Sequence, residues 1–169
     1  MKVEHINPFI AATVSVFDKL LSCHLKRGEV YLKRSFQPEY QASGVIGLSG
    51  KATGAVALTL DRNVALRATE ALLGERFDEI NAEVADTIGE LTNMIAGAAK
   101  AQLEQFEMSM SLPSVVLGKN HIIQFPSNAV PLCIPFESPW GDLCLQVSLV
   151  EQSQASVPCA RELAGAGAG

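Results

Sequence analysis

Residues 43–50 (SGVIGLSG) and 52–60 (ATGAVALTL) are two runs of apolar, β-branched and small residues joined across a Gly-Lys step. So short a connection returns the chain beside itself, and the two strands must pair antiparallel. What flanks this hairpin narrows the fold further. EVYLKRSF (29–36) is rich in β formers and precedes it. SVVLG (114–118), HIIQFP (121–126), AVPLCIPFE (129–137) and DLCLQVSLV (142–150) read as strands near the other end. The last two surround SPWG, a turn sequence. In the final run Leu143, Leu145, Val147 and Leu149 alternate with Cys144, Gln146 and Ser148, the pattern of a sheet with one buried face.

Helical spacing fills the gaps. Asn7-Pro8 opens a segment over 6–25 with Phe9, Ile10, Val14, Phe17, Leu20 and Leu21 at amphipathic intervals, and Gly28 closes it. Asp61 and Gly74 bracket DRNVALRATEALLG, a short helix whose apolar surface comes from Val64, Leu66, Ala68, Leu72 and Leu73. Residues 78–105 form the longest helical pattern. Strands and helices therefore come in blocks and do not alternate, which disfavours a parallel doubly wound sheet. The expectation is an α+β fold with long helices packed on one face of a mostly antiparallel sheet.

At 169 residues and 48% hydrophobic content the chain has the length and apolar matter for one domain with a real core. The pattern ends near residue 150. We expect one domain over 1–150 and a flexible tail over 151–169, where small and polar residues dominate. The closing GAGAG has no strand before it and no helix after it, so it is not a dinucleotide fingerprint. GLSGKATG lacks the spacing of a phosphate loop and lies between two strands.

The net charge is −5 with no basic run, which argues against a nucleic-acid partner. No apolar run approaches the roughly 18 residues of a membrane span. The N-terminal residues carry Glu4 and Asp18 and no small-residue cleavage site, so the expected location is the cytoplasm. Cys23, Cys133, Cys144 and Cys159 show no CxxC spacing and read as reduced, buried thiols. His5, His24 and His121 are scattered, and no metal site is expected in this chain.

The long helical pattern contains DTIGELTNMIAG (86–97). At about 100° per residue, Val84, Ile88, Leu91, Ile95, Ala99 and Phe106 gather on one side as a core face. Opposite them, Asp86, Glu90, Asn93, Gly97 and Ala101 fall within a sector of about 80°. A solvated face explains the first three, but not a glycine, which costs roughly 1 kcal/mol against alanine inside a helix. A backbone approached closely by another macromolecule would explain it. Gly89 points in a different direction, one residue's rotation from Glu90 and outside the stripe, and instead lets a neighbouring element of the same fold pack. Glu90 and Asn93 project together, one accepting, the other donating and accepting. The pair has no nucleophile, base partner or metal, so it can act only by completing another protein's active site.

DTIGELTNMIAGAAK followed by MSLPSVVLG resembles the CheX/CheC/FliY chemotaxis phosphatases, CheX most of all. Asp86, Glu90, Asn93 and Pro113 take the places of that family's motif, an Asp or Ser, then Glu, then Asn, then a distant Pro. The stretch from Asn93 to Pro113 is shorter than in the family pattern, so the connection after the helix must be shorter too. The resemblance covers residues 5–150. NPFIAATVSVFDKLL shows no second Glu-x-x-Asn, unlike CheC-type members with two sites.

This resemblance implies a CheC/CheX-like fold and a phosphorylated CheY-like receiver domain as partner, with Mg²⁺ supplied by that receiver. It implies hydrolysis of the receiver's aspartyl phosphate, with Asn93 positioning the water and Glu90 docking on the receiver's lysine. Asp86, Gly97 and Ala101 would complete the partner-binding ridge, and two copies would join sheet edges into a homodimer. The alternative is a non-catalytic receiver-binding or flagellar-switch module, which would not need the Asn93 amide.

Overall fold

In the computed structural model the described residues are 3–32, 40–118, 123–125 and 130–152. Helix α1 spans Asn7–Leu21. Asn7 is not its cap: the helix starts from the Ile6 carbonyl, which accepts from Phe9 and Ile10. Asn7 and Pro8 form the first turn, where the donor missing from proline is not needed. The helix also stops before the predicted Gly28. Ser22 takes a left-handed conformation (φ 51°) and the Cys23 N–H closes onto the Phe17 carbonyl. Gly28 has another task, donating its N–H to the Pro135 carbonyl at the sheet margin.

Strands β1 (Lys26–Arg27) and β2 (Tyr31–Leu32) are two residues each. The predicted strand over 29–36 thus shrinks to β2 among the described residues, and 33–39 lie outside them. The hairpin forms as expected from β3 (Ala42–Ser49) and β4 (Ala52–Leu60). Its turn needs Gly50, whose φ is +153° and whose missing Cβ would lie 2.5 Å from the Glu107 carbonyl. Helix α2 (Arg62–Leu73) has the predicted caps: Asp61 accepts from the Asn63 N–H, and Gly74 ends the helix at φ +74°. Val64, Leu66 and Ala68 are buried and Leu72 partly so, but Leu73 is exposed.

Helix α3 runs Ala82–Ala101, capped by the Asn81 side chain accepting from Val84 N–H. A 3-10 turn over Glu104–Phe106 follows, so Phe106 joins the core from beyond the helix. Then come β5 (Ser109–Met110), β6 (Ser114–Leu117), β7 (Leu132–Ser138) and β8 (Gly141–Glu151). β5 had no sequence-based counterpart. Of the predicted strand at 121–126, residues 123–125 are not in a strand and the rest lie outside the described residues.

The eight strands among the described residues form one sheet in the order β1-β7-β8-β4-β3-β5, with β2 also on β7 and β6 also on β3. Every pairing is antiparallel. The helices share one core with the sheet: Phe9 and Phe17 of α1, Ala65 and Ala68 of α2 and Ile88, Leu91 and Ile95 of α3 meet Ile46, Leu58, Leu143 and Leu145. The other face departs from the expected alternation. Cys144, Gln146 and Ser148 are as buried as their neighbours. Gln146 and Ser148 pair with Ala57 and Ala55, and Ile123 and Phe125 pack on those two alanines. An apolar strip lying across small side chains covers a face that the strand pattern alone left to solvent.

Helix α3 rests on β3 at one point of closest approach. A Cβ at Gly44 would lie 2.1 Å from Thr92 Oγ1 and 3.1 Å from the Ile88 carbonyl oxygen. Thr92 is fully buried and its hydroxyl donates to that same carbonyl at 2.7 Å. Gly44→Ala should therefore cost about 1–3 kcal/mol, the usual range for overpacking. Urea unfolding measures it, and Thr92→Ala in the same chain should restore part of the loss, since the two sites are in contact. A single variant with the wild-type midpoint would mean that α3 can move off the strand at no cost.

Candidate functional site

Seating α3 on β3 at Gly44 fixes which way the helix faces. Val84, Ile88, Leu91, Ile95 and Ala99 turn inward and are fully buried. Asp86, Glu90 and Ala101 are exposed, while Asn93 and Gly97 are half-buried. The five predicted stripe residues thus share the outer face, and the structure brings them together as one ridge on one helix. Among the described residues, no hydrogen bond or ion pair engages the side chains of Asp86, Glu90 or Asn93. Polar groups that are solvated and unpaired remain available to another molecule.

The two glycines of the helix differ as their wheel directions predict. Gly89 is buried, and a Cβ there would touch Val115 Cγ2 at 3.4 Å and the Pro113 ring at 3.6 Å. Gly97 faces open space, with nothing within 4 Å of the same position. A helical glycine with no internal neighbour to accommodate is the feature that a purely solvated face does not explain.

Pro113 therefore stands beside the ridge, although it is distant in sequence from Glu90 and Asn93. The connection after the helix is brief: α3 ends at Ala101, and one 3-10 turn and β5 bring the chain back. Past Gly97 the ridge opens into a concavity of about 480 Å³ lined by Lys100, Ala101, Glu104, Glu107 and Met110, among others. Glu107 also pairs with Lys51 across its rim. Lys100, Glu104 and Met110 were not singled out in the sequence, where the three-residue step from Gly97 would have pointed to Lys100 alone, since Glu104 and Met110 lie beyond the helix.

Chemically the ridge offers two carboxylates and one carboxamide. Among the described residues no group of three His, Cys, Asp or Glu side chains is placed to hold a metal ion. Cys23, Cys133 and Cys144 are buried thiols outside any disulfide, and burial pushes the Cys23 thiol up against the opposing effect of a hydrogen bond with Ser138. Cys23 is therefore a protonated, inert thiol, and Cys159 lies outside the described residues. Among the described residues no helix is long and apolar enough to cross a membrane.

Residues 42–137 match the family described as chemotaxis phosphatase CheX. No curated protein matches the chain. Among solved structures, a CheC-like superfamily protein from Shewanella sp. PV-4 is 34% identical with a TM-score of 0.82, over 89% of this chain and 99% of that one. The chemotaxis protein CheX from Vibrio vulnificus is 34% identical with a TM-score of 0.81, over 88% of this chain and 100% of that one. A chain from the CheX–CheY–BeF₃–Mg²⁺ complex of Borrelia burgdorferi is 25% identical with a TM-score of 0.76, over 89% of this chain and 100% of that one. A family match over more than half the chain, joined to relatives a third identical along nearly their whole length, leads to one conclusion: the chain belongs to the CheX family of chemotaxis phosphatases.

Proposed function

We propose that this protein hydrolyses the aspartyl phosphate of a CheY-like receiver domain, using the outer face of α3. The observation that carries the reading is the ridge itself. Glu90 and Asn93 project side by side without internal partners, flanked on one side by Pro113 and continued by a glycine that faces open space. The relative crystallised with CheY, BeF₃ and Mg²⁺ supports the choice of partner.

Phosphoryl transfer leaves a protein little to do beyond positioning and electrostatics. The receiver contributes the phosphorylated aspartate, and its bound Mg²⁺ neutralises phosphoryl charge. Asn93 enters that site, and its side-chain oxygen accepts a hydrogen bond from a water held in line with phosphorus. The water oxygen bonds to phosphorus as the bond to the aspartate oxygen breaks. Inorganic phosphate leaves, and the carboxylate of the receiver is regenerated. Glu90 pairs with the receiver's active-site lysine in a charge-assisted contact that sets the register. Asp86 extends the acidic ridge, and Gly97 and Ala101 give the receiver backbone room to approach. A substrate of this kind places the protein in the cytoplasm.

The direct test is the decay of a radiolabelled phospho-receiver with and without this protein. Accelerated release of inorganic phosphate supports the reading. Binding without acceleration would reduce the protein to an adaptor.

The same reading includes a homodimer formed through sheet edges. Among the described residues, the sheet continues beyond β7 only as the two-residue strands β1 and β2. Val30 (41%), Tyr31 (39%), Leu32 (59%) and Val130 (57%) are exposed near that margin. Edges of this kind are normally covered or paired, and a symmetric pair is the commonest assembly. Helix α3 packs on β3, β4 and β6, towards the opposite margin, so both ridges stay open in such a dimer. Sedimentation at micromolar concentration should give twice the 18.0 kDa of one chain. A particle of one chain's mass would reject the dimer.

A further inference from the structure

Leu112 is the most exposed of the large hydrophobic side chains among the described residues, at 87%. It is also held in place. The Ser111 N–H donates to the Gly47 carbonyl at 2.9 Å, and the Gly47 N–H donates back to Ser111 Oγ at 2.9 Å. Ser111 Oγ donates in turn to the Leu112 carbonyl at 2.9 Å. On the other side Pro113 packs at Gly89 of α3. An apolar side chain on a rigid mount loses little conformational freedom when a partner covers it.

Its position follows from two neighbours on α3. Met110 shares the concavity with Gly97, and Pro113 touches the Gly89 position. Gly97 and Gly89 are eight residues apart on α3, roughly 12 Å along the helix. The three steps from Met110 to Pro113 reach at most about 11 Å, so this segment passes beside the helix and antiparallel to it. Leu112 falls between these two residues, on the stretch that passes the turn carrying Asn93. The side of the helix is also given, because Gly89 and Lys100 both point within about 40° of Asn93 on the wheel.

We propose that Leu112 is the apolar half of the receiver-docking site, pressing on the receiver surface next to its phosphorylation site. This rests on the phosphatase reading for the identity of the occupant. A second copy of this chain is disfavoured because pairing of sheet edges needs open backbone groups, and here the Ser111 N–H and the Leu112 carbonyl already have partners. Buried apolar anchors surrounded by contacts that exclude water are the usual source of affinity at such surfaces.

The experiment is a titration with a CheY-like receiver activated by beryllofluoride and Mg²⁺, chosen as one the wild-type chain binds. Leu112→Asp should weaken binding by about tenfold or more. It should raise KM for the phosphorylated receiver to a similar degree and leave kcat within about twofold, because the lost contact is made before and during the reaction alike. Leu112→Met should restore binding. The side chain is nearly fully exposed, so thermal unfolding of both variants should match wild type. Wild-type affinity in Leu112→Asp overturns the proposal, and so does unchanged affinity accompanied by a loss of particle mass, which would assign Leu112 to a contact between copies. A wild-type protein that binds the receiver without hastening phosphate release would defeat the phosphatase reading instead, and the Leu112 titration would still decide its own question.

Discussion

Asn93→Ala is expected to slow dephosphorylation of the receiver by about 10²–10³-fold, the effect of losing one preorganised hydrogen-bonding group at a reacting centre. The fold should not suffer. Asn93 is half-buried on the outer face of α3, without a hydrogen-bond partner among the described residues, and alanine is the better helix former. The loss should appear in kcat, with little change in KM, because the amide acts on the water and not on the docking surface. Asn93→Asp, nearly the same shape, should be just as slow, since it brings a negative charge towards a phosphoryl group. Single-turnover decay of the labelled receiver separates these outcomes from defects of assembly. Wild-type kinetics in Asn93→Ala would remove the mechanism, whatever the family resemblance.

Glu90→Lys should act on the other half of the encounter. It sets a positive charge against the receiver's lysine, and like charges juxtaposed at an interface cost several kcal/mol. Affinity for a beryllofluoride-activated receiver should fall by about a hundredfold or more at low ionic strength. The defect should shrink as salt screens the pair over a Debye length of about 8 Å near physiological strength. The variant should fold normally, because Glu90 is exposed and a lysine there would lie four residues after Asp86, a helix pair worth about 0.2–0.5 kcal/mol. Equal affinity for wild type and variant would mean that Glu90 does not face the receiver lysine. The two variants together divide the ridge into a part that docks and a part that reacts.

The legible features of this protein were those set by local chemistry. A step as short as Gly50-Lys51 between two strands left only a hairpin, and β3 and β4 form it. Asp61 and Gly74 bound α2 because an aspartate caps the first turn and a glycine accepts positive φ. The helical repeat sorted α3 into a buried face and an exposed stripe, so Asp86, Glu90, Asn93, Gly97 and Ala101 could be named together. The different directions of Gly89 and Gly97 were enough to assign one to packing and the other to open space. Where two local rules competed, the reading failed. Asn7-Pro8 had the look of a capped start, yet the Ile6 carbonyl begins the helix one residue earlier.

Contacts between residues distant in sequence were outside that reach. The alternation in β8 could not reveal that Ile123 and Phe125 cover the second face, because burial there depends on a strip of chain brought in from elsewhere. The two-residue strands β1, β2 and β5 are too short to carry a repeat and exist only because β7 and β3 offer open edges. For the site the division is sharper. The helical repeat by itself determined that Glu90 and Asn93 share a face, since about 3.6 residues per turn is a property of the backbone. The partners of that face came from tertiary structure: Gly44 lets α3 sit on β3, and Ser111 ties the returning chain to Gly47. That tie carries the chain through Leu112 to Pro113, which packs at Gly89 of α3, by hydrogen bonds and packing across 64 residues of sequence that no local pattern encodes.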